Sequence, residues 1–532
     1  MKFRSEKLLI VFVLVIQLFV FWYFGSLKSG MHFDECFSYF NTNNSVGRQC
    51  YDRTFVSSED IMKDFYVLEG EQFNYSYVVK LQSYDVHPPV FYLFLHTLCS
   101  FMPGVFSMWQ GLALNLFYSL CASYFLYLIF KEFVKKEYTA CLLTLLVAIN
   151  PGVICNFLYI RMYCLMALWI VMAVYLHIRI SKEDINKLKP VYYIFTFILT
   201  YLGFLTHYFY LVFLFFIEAA FVLPKLFTFR KNIKGVLKYC ITLLSAGILG
   251  VITYPSCLGH VNSGYRGQEV KGYLFDLSDI FSRIKFFGGL INRFVFQNFG
   301  VFFVLVIVML LLYMYFVTRK GRVYVEGFDK AVQFIIIPAL GYFLVSAKAS
   351  LVGDETMMRY QLPIYPLIIM GTVLILYMLI TTLLNTKLTK LAGFALIGVF
   401  LVLNVCGILK QNVFYLYKEQ ATMERIADKY KEETCIYIYN NEDNKYLLWN
   451  DAMQLAKYKD VYFIFAENTD AIEDVKINSS KEAVVYISSL GEHENFNDYS
   501  EMIYANTDGI NSYEKLYDAM YATAYRFYRT NE

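Results

Sequence analysis

Five short motifs hold residue types that could carry out group transfer. His32-Phe33-Asp34-Glu35-Cys36 sets two adjacent carboxylates just after the first apolar block, and His87-Pro88-Pro89-Val90-Phe91-Tyr92 closes the same polar stretch. Arg161-Met162-Tyr163, Thr206-His207-Tyr208-Phe209 and Arg359-Tyr360-Gln361-Leu362-Pro363 stand at the edges of later apolar blocks. A carboxylate can take a proton, a guanidinium can grip a phosphate with two parallel hydrogen bonds, and an imidazole can donate or accept near neutrality. The set suits a reaction in which a phosphate leaves carbon while a hydroxyl loses its proton. Each motif also has a commoner role. Asp34 and Glu35 could be solvated loop charges, Arg161 could snorkel to headgroups, Arg359 could pair with Asp354 or Glu355, and His207 could hydrogen-bond a helix end. The chemical reading gains weight only if the elements between the motifs bring all five to one side of a membrane.

Those elements are membrane spans. With 58% hydrophobic and 17% charged residues, the 532-residue chain is far from a soluble composition. Its apolar residues come in blocks of about 18 to 25, long enough to cross a bilayer as helices, and about eleven such blocks can be counted. The first, Leu8 to Leu27, follows Lys2, Arg4 and Lys7 with no small-residue cleavage site after Gly25, and reads as an uncleaved helix. A net charge of +3 gives no electrostatic footprint for nucleic acid, so basic residues are read by position. Lys131, Lys135 and Lys136 form one basic tract; Arg179, Lys182, Lys187 and Lys189 the next; Lys225, Arg230, Lys231 and Lys234 a third. Arg319, Lys320 and Arg322, then Lys387 and Lys390, complete the series. Every second connection is basic, which predicts a cytoplasmic N-terminus and an outer position for residues 28–107, for the tail after Leu409 and for all five motifs.

The outer segment 28–107 is too long for a simple turn. Ser57-Ser58-Glu59-Asp60 reads as a helix start, Tyr75 to Tyr84 as a short amphipathic helix, and Val90 to Phe101 as an apolar stretch too short to span. After Gln411 the composition turns polar. Ala421 to Glu433 and Tyr446 to Tyr458 read as helices, and Cys435 to Tyr439, Val461 to Phe465 and Ala483 to Ile487 as strands, which predicts a small α/β layer domain. Most of the 11 cysteines fall in or beside apolar segments without metal spacing; Cys36 and Cys50, both in the outer segment, could form a disulfide. Glu218, inside an apolar block, reads as an acid with a structural partner toward the cytoplasmic end.

The order Asp-Glu after helix one, His-Pro-Pro-hydrophobic-Tyr, Arg-Met-Tyr, Thr-His-Tyr-Phe and Arg-Tyr-x-Leu-Pro resembles glycosyltransferase family 39, whose relatives include protein O-mannosyltransferases and lipid A aminoarabinose transferases. The resemblance covers about residues 1 to 410 and leaves the tail aside. It implies a polytopic α-helical membrane protein of the GT-C type, here with about eleven transmembrane helices and a small C-terminal extracytoplasmic α/β domain: residues 1–410 as the transferase domain and 411–532 as the soluble one. It also implies a polyprenyl-phosphate-linked sugar as donor, inversion at the anomeric carbon, and a catalytic aspartate at the position of Asp34, with Glu35 beside it. His87, Arg161, Tyr163, His207, Arg359 and Tyr360 become candidates for binding the donor phosphate. At His87 this chain departs from the aminoarabinose transferases, which carry a lysine before the paired prolines.

No cofactor is certain from the sequence. Some relatives hold a divalent metal, and Glu69, Asp85, His87 and His207 are the weak candidates for such a site. The expected partners are the lipid-linked donor, a glycan, lipid or protein acceptor and the bilayer itself, with a bacterial plasma membrane as the expected location. A lipid-linked polysaccharide polymerase, a non-enzymatic lipid-glycan flippase, and a sensor or scaffold whose tail binds a partner are the competing readings. A polymerase would place its large outer loop late in the chain rather than first. A flippase would show paired halves or interrupted helices.

Overall fold

The computed structural model describes residues 2–45, 51–227, 229–276, 278–318, 325, 327–383, 387–439, 449–468, 482–488, 496–505 and 509–530. The chain forms two compact units, each drawn from separated stretches of sequence. One comprises Met1–Ser26, Val79–Phe91 and Gly111–Phe414; the other comprises Leu27–Val78, Tyr92–Gln110 and Tyr415–Glu532.

The first unit is helical and makes the chain a multi-pass membrane protein. Among the described residues, eight helices are long and apolar enough to cross a bilayer, beginning with Leu8–Leu27 and ending with Leu391–Leu409. The pair Glu137–Ala148 and Pro151–Leu158, bent by 57°, makes a ninth if it counts as one span. The bend has a local cause. Asn150 caps the second helix by accepting from the Gly152 amide at 2.9 Å, and Pro151 occupies its first turn, where the missing N–H costs nothing. Three further apolar helices, Val90–Ser100, Pro190–Phe204 and Gly300–Phe316, are shorter than a full span, so the described residues give eight or nine spans where about eleven were expected. Pro190–Phe204 packs tightly against its successor: a Cβ on Gly203 would fall 2.2 Å from the Tyr210 ring.

Glu218 is a buried acid with partners. Its Oε1 accepts from the Tyr239 hydroxyl at 3.1 Å and lies 3.2 Å from His177 Nε2. That arrangement gives one oxygen of the carboxylate two partners within the helical unit, the structural role its sequence setting suggests.

The second unit is built on a sheet of six strands, β1 (Thr54–Ser57), β2 (Thr434–Tyr439), β3 (Asp460–Phe465), β4 (Ala483–Ser488), β5 (Ser512–Asp518) and β6 (Ala522–Tyr528), in the order β1-β3-β2-β4-β6-β5. β2 pairs in parallel with both β3 and β4, and the other three pairings, β1 with β3, β4 with β6 and β5 with β6, are antiparallel. One face buries Ile436, Ile438, Ile464, Val485 and Phe527 beneath the Phe496–Ala505 helix residues Tyr499 and Ile503. The alternate residues Tyr437 and Tyr486 stack on the other face, as a period of two requires.

The three strands expected in the tail are present, and the first tail helix runs over Lys418–Lys429. Of the expected Tyr446 to Tyr458 helix, residues 446–448 lie outside the described residues, and the helical turn is Ala452–Leu455. β1 comes from the outer segment: Thr54 pairs with Phe463 and Val56 with Val461, so the sheet is not made from the tail alone. The outer segment also contains the expected helices, at Ser58–Met62 with Ser57 as N-cap and at Tyr75–Tyr84. Its apolar helix Val90–Ser100 is short, as its sequence indicates.

Candidate functional site

Asp34 and Glu35 open the Phe33–Asn43 helix, and the geometry of that opening separates them. Glu35 occupies the position whose side chain reaches back to cap the helix. Its Oε2 accepts from the His32 amide at 2.7 Å and from Lys28 Nζ at 3.1 Å, and neither the Lys28 nor the Glu35 side chain has exposed surface. Burial draws the Lys28 ammonium below the usual lysine range, and the neighbouring carboxylate offsets part of that pull. Asp34 keeps 25% of its side-chain surface open. Its amide donates to His32 Nδ1 at 3.1 Å, so that nitrogen is the unprotonated one, with Asp34 Oδ2 3.6 Å away. Two adjacent acids thus have different freedom: one is a fixed brace and the other a carboxylate with room to accept a proton. In the same unit Cys36 is buried with its thiol toward the Trp449 carbonyl; Cys50 lies outside the described residues.

Four of the other candidates meet in the helical unit. His87 Nδ1 lies 3.2 Å from Asp85 Oδ2 and 3.5 Å from Arg161 Nη2. A nitrogen that donates to Asp85 cannot also accept from Arg161, so the guanidinium stands beside this dyad as a charge. The His207 ring lies 5.8 Å from that of His87 and 5.3 Å from that of Tyr163. Asp85 is held below the usual carboxylate range: burial raises it, but the His87 hydrogen bond and the charges of His87 and Arg161 outweigh burial. His207 is pushed well below the usual histidine range by burial and by the two neighbouring cations. It is therefore neutral, and because its Nδ1 accepts from the Phe209 amide at 3.1 Å, Nε2 carries the proton. The cluster combines an ionised carboxylate, a buried guanidinium and a neutral N–H donor, a combination suited to an anion that arrives and leaves.

Short turns at helix ends position these groups. Arg161 sits in the break between Pro151–Leu158 and Tyr163–Ile180, where Asn115 Nδ2 donates to the Phe157 and Tyr159 carbonyls at 3.0 and 2.9 Å. The Pro88-Pro89 step leaves Val90 as the next free amide, and it donates to the Leu205 carbonyl at 3.1 Å, tying the His87 turn to the His207 turn. Arg359 lies on a 3-10 turn capped by Asp354 and is buried, with its guanidinium 5.2 Å from the centre of the Tyr360 ring. Tyr342 donates to the Tyr360 carbonyl at 2.9 Å, and Tyr360 packs on Phe209 at 6.2 Å. The acids nearest Arg359 in sequence have other partners: Asp354 caps Thr356, and Glu355 pairs with Arg293.

Sequence reasoning passed over two residues that hold this cluster. The His260 Nε2–H donates to the Ser83 carbonyl at 3.2 Å, and its Nδ1 accepts from the Tyr208 hydroxyl at 2.9 Å, pinning the start of the Asp85–His87 turn. Tyr208 lay inside a quoted motif, but His260, in Gly259-His260-Val261, carries no local signal. Among the described residues no three His, Cys, Asp or Glu side chains gather as metal ligands, and Glu69 belongs to the sheet-bearing unit while Asp85, His87 and His207 belong to the helical one. These residues do not fit a metal, and no step is assigned to one.

Neither a protein-family model nor a curated protein sequence matches this chain. Solved structures do. The crystal structure of ArnT from Cupriavidus metallidurans bound to undecaprenyl phosphate overlays with a TM-score of 0.53 at 9% identity, covering 97% of each chain. The Archaeoglobus fulgidus oligosaccharyltransferase, tethered with an acceptor peptide containing the NVT sequon, gives a TM-score of 0.39 at 13% identity over 93% of this chain and 68% of that one, too loose an overlap to bear on the fold. The fold of this chain is thus of the expected kind, the GT-C architecture that ArnT adopts, with 97% of each chain covered.

Proposed function

We propose that this chain is a glycosyltransferase that moves a sugar from a polyprenyl-phosphate-linked donor to a cell-envelope acceptor on the outer face of the membrane. The observation that carries the reading is the Asp85, His87, Arg161 and His207 cluster, a phosphate-suited arrangement, within a fold whose solved example, ArnT, was crystallised with undecaprenyl phosphate. In this reading Asp34 takes the proton from the acceptor hydroxyl. The hydroxyl oxygen bonds to the anomeric carbon from the face opposite the phosphate, the carbon–oxygen bond to phosphate breaks, and the polyprenyl phosphate leaves with the electron pair. Arg161 and Arg359 neutralise the leaving phosphate, with His87, the His207 Nε2–H, Tyr163 and Tyr360 shaping its pocket. Glu35 orients Asp34 and does not react. The membrane part, residues 1–410, carries the transfer, residues 411–532 lie outside, and the N-terminus is cytoplasmic.

The test is the glycan itself. Cells lacking this chain should lose one sugar from one envelope glycan, read by mass spectrometry. The parent chain should restore it. Asp34→Asn, equal in size and polarity, should insert normally and restore it about a hundredfold to ten-thousandfold more slowly, the usual cost of losing a general base. An unchanged set of envelope glycans in the deletion, or restoration by Asp34→Asn at the parent rate, overturns the reading or its mechanism respectively.

A further inference from the structure

A polar group buried among membrane helices has no bulk water beside it, so it finds a partner in the protein or takes one from a bound molecule. Glu218 Oε1 has the partners already described. Its Oε2 is buried with no hydrogen-bond partner among the described residues, and so is the hydroxyl of Thr200. Glu218 is 9% exposed and Thr200 3%, and the two side chains line one cavity. It measures about 710 Å³ and lies between the helices Pro190–Phe204, Phe209–Leu226 and Lys231–Thr253. Apart from Thr200, Glu218 and Cys240 its walls are apolar. Phe215, Leu244 and Ile248 of its lining are exposed, and an exposed apolar side chain on a span faces lipid, so the cavity opens to the bilayer.

A concave apolar space of about 300–1,000 Å³ with a few convergent polar groups is the usual build of a small-molecule site. Here the polar groups select the molecule. A carboxylate oxygen accepts, and a threonine hydroxyl both donates and accepts, so together they match one hydroxyl group. Charge decides against an amine. His177 Nδ1 lies 2.7 Å from the Ala173 carbonyl and therefore donates to it, while Nε2 lies 3.2 Å from Glu218 Oε1. The second contact is a hydrogen bond only with one further proton between the two groups, and wherever that proton rests the pair is neutral as a whole. Charge decides against a phosphate as well, since the lining contains no lysine or arginine.

We propose that this cavity binds a long-chain alcohol taken from the bilayer, whose hydroxyl donates to Glu218 Oε2 and accepts from the Thr200 hydroxyl while its chain lies along the apolar walls. The site is separate from the candidate transfer cluster. His207 stands before the Phe209–Leu226 helix begins, whereas the cavity runs along that helix from Leu211 to Leu223. It therefore depends neither on the transfer reading nor on Asp34. Gly247 also lines the cavity, and a Cβ added there would meet no atom within 4 Å, so a larger side chain at this position fills the space without pushing the helices apart.

The experiment uses the full-length protein in nanodiscs of phosphatidylethanolamine and phosphatidylglycerol, with a hexadecanol that carries a diazirine in its chain. Labelled peptides are mapped by mass spectrometry, and hexadecanol, hexadecane, hexadecylamine and undecaprenyl phosphate are added as competitors. Label should fall on the three helices that line the cavity. Hexadecanol should displace it about fivefold to tenfold more effectively than hexadecane or hexadecylamine, the worth of one well-made hydrogen bond, and undecaprenyl phosphate should not displace it. Thr200→Val keeps the shape without the hydroxyl. It should bring alcohol and alkane to within about twofold of each other while the thermal midpoint holds or rises, because an unpaired buried hydroxyl has gone. A threonine needed only for structure would do the reverse, lowering the midpoint and leaving the preference intact. Gly247→Leu should abolish the label in a folded protein. The parent alone can sink the proposal: displacement by hexadecane equal to that by hexadecanol makes the cavity an ordinary lipid-chain groove, stronger displacement by hexadecylamine contradicts the neutral site, and displacement by undecaprenyl phosphate assigns the cavity to the donor's tail. A Thr200→Val protein that keeps the preference, or a Gly247→Leu protein that keeps the label, overturns it as well.

Discussion

Each unit holds a carboxylate beside a basic side chain, and the two are built in opposite ways. In the sheet-bearing unit the Lys28–Glu35 pair is dry, with no exposed surface on either side chain, and every partner is fixed backbone, ring or carboxylate. In the helical unit Asp85 and His87 each keep 19% of their side-chain surface open, the nearby Arg161 and His207 come from separate turns, and the Val90 to Leu205 hydrogen bond ties the His87 turn to the His207 turn. The first arrangement suits a joint that must not move. The second suits a receptor whose ligand comes and goes, because small displacements of separate turns are cheap while loss of a buried charge partner is not. Substitution should therefore have an all-or-none effect in the first place and a graded effect in the second.

Breaking the joint from one side should give the largest effect on stability. Glu35→Gln leaves the Lys28 ammonium buried without its counter-charge, and the expected loss is about 3–5 kcal/mol, visible as a thermal midpoint many degrees lower in detergent. Asp85→Asn keeps a hydrogen-bond acceptor for His87 in a partly wet site and should cost much less, about 1 kcal/mol. Equal losses in the two variants would erase the distinction between joint and receptor.

The same contrast governs what could be read from the sequence. Long apolar helices announce themselves, so the membrane unit was legible, as were the motifs at helix ends, which sit in runs a few residues long. Motif reading grouped His87, Arg161, Tyr163 and His207 because each lies at the end of an apolar block, and the structure brings the four side chains together. The joint was not legible. Lys28 acquires its meaning from Tyr415, and β1 from β3, and pairings at that separation leave no periodic trace. β5 was missed for a local reason: its bulge at Lys515/Tyr517 breaks the alternation that marks a strand. His260 was missed because a histidine in a short helix looks the same whether or not it reaches a distant carbonyl.

A second expected effect, smaller than the first, belongs to the sheet-bearing unit and concerns pH. Burial pushes the carboxyl of Asp451 up to about 7, against the pull of the Tyr437 hydroxyl that donates to it at 3.0 Å. Burial likewise raises Asp64 to about 6, against hydrogen bonds from Trp449 and Asn44. Each acid therefore binds its proton more tightly folded than unfolded. Their contribution is fully present below the unfolded value near 3.8 and is lost as pH rises through about 6 for Asp64 and about 7 for Asp451, so this unit should be less stable at pH 8 than at pH 5. Asp451→Asn keeps an acceptor for Tyr437 and removes the titration. It should flatten the upper part of that slope and gain on the order of 2–4 kcal/mol at pH 8 relative to the parent. Thermal midpoints of the full chain between pH 5 and pH 8 measure both; a parent whose stability rises over this range would contradict the burial of these acids.

A binding effect, with little change in stability, is expected in the receptor, where it tests geometry alone. Arg161→Lys keeps the positive charge beside His87 and His207, so the field that holds Asp85 low and His207 neutral persists in sign. What disappears is the planar fork, which can meet two phosphate oxygens at once where an ammonium meets them as a point. Undecaprenyl phosphate should then bind roughly ten- to thirtyfold more weakly, about 1.5–2 kcal/mol, with the thermal midpoint of the unliganded protein nearly unchanged. The His260→Ala variant is the useful companion, because it frees the Ser83 carbonyl and loosens the turn that carries Asp85 and His87 without touching any charge in the cluster. If phosphate affinity depends on the cluster, both substitutions should weaken binding, Arg161→Lys through the lost fork and His260→Ala through the loosened turn. If Arg161 serves only to reach lipid headgroups, Arg161→Lys would bind undecaprenyl phosphate as the parent does, and the cluster would keep its shape but lose its assigned purpose.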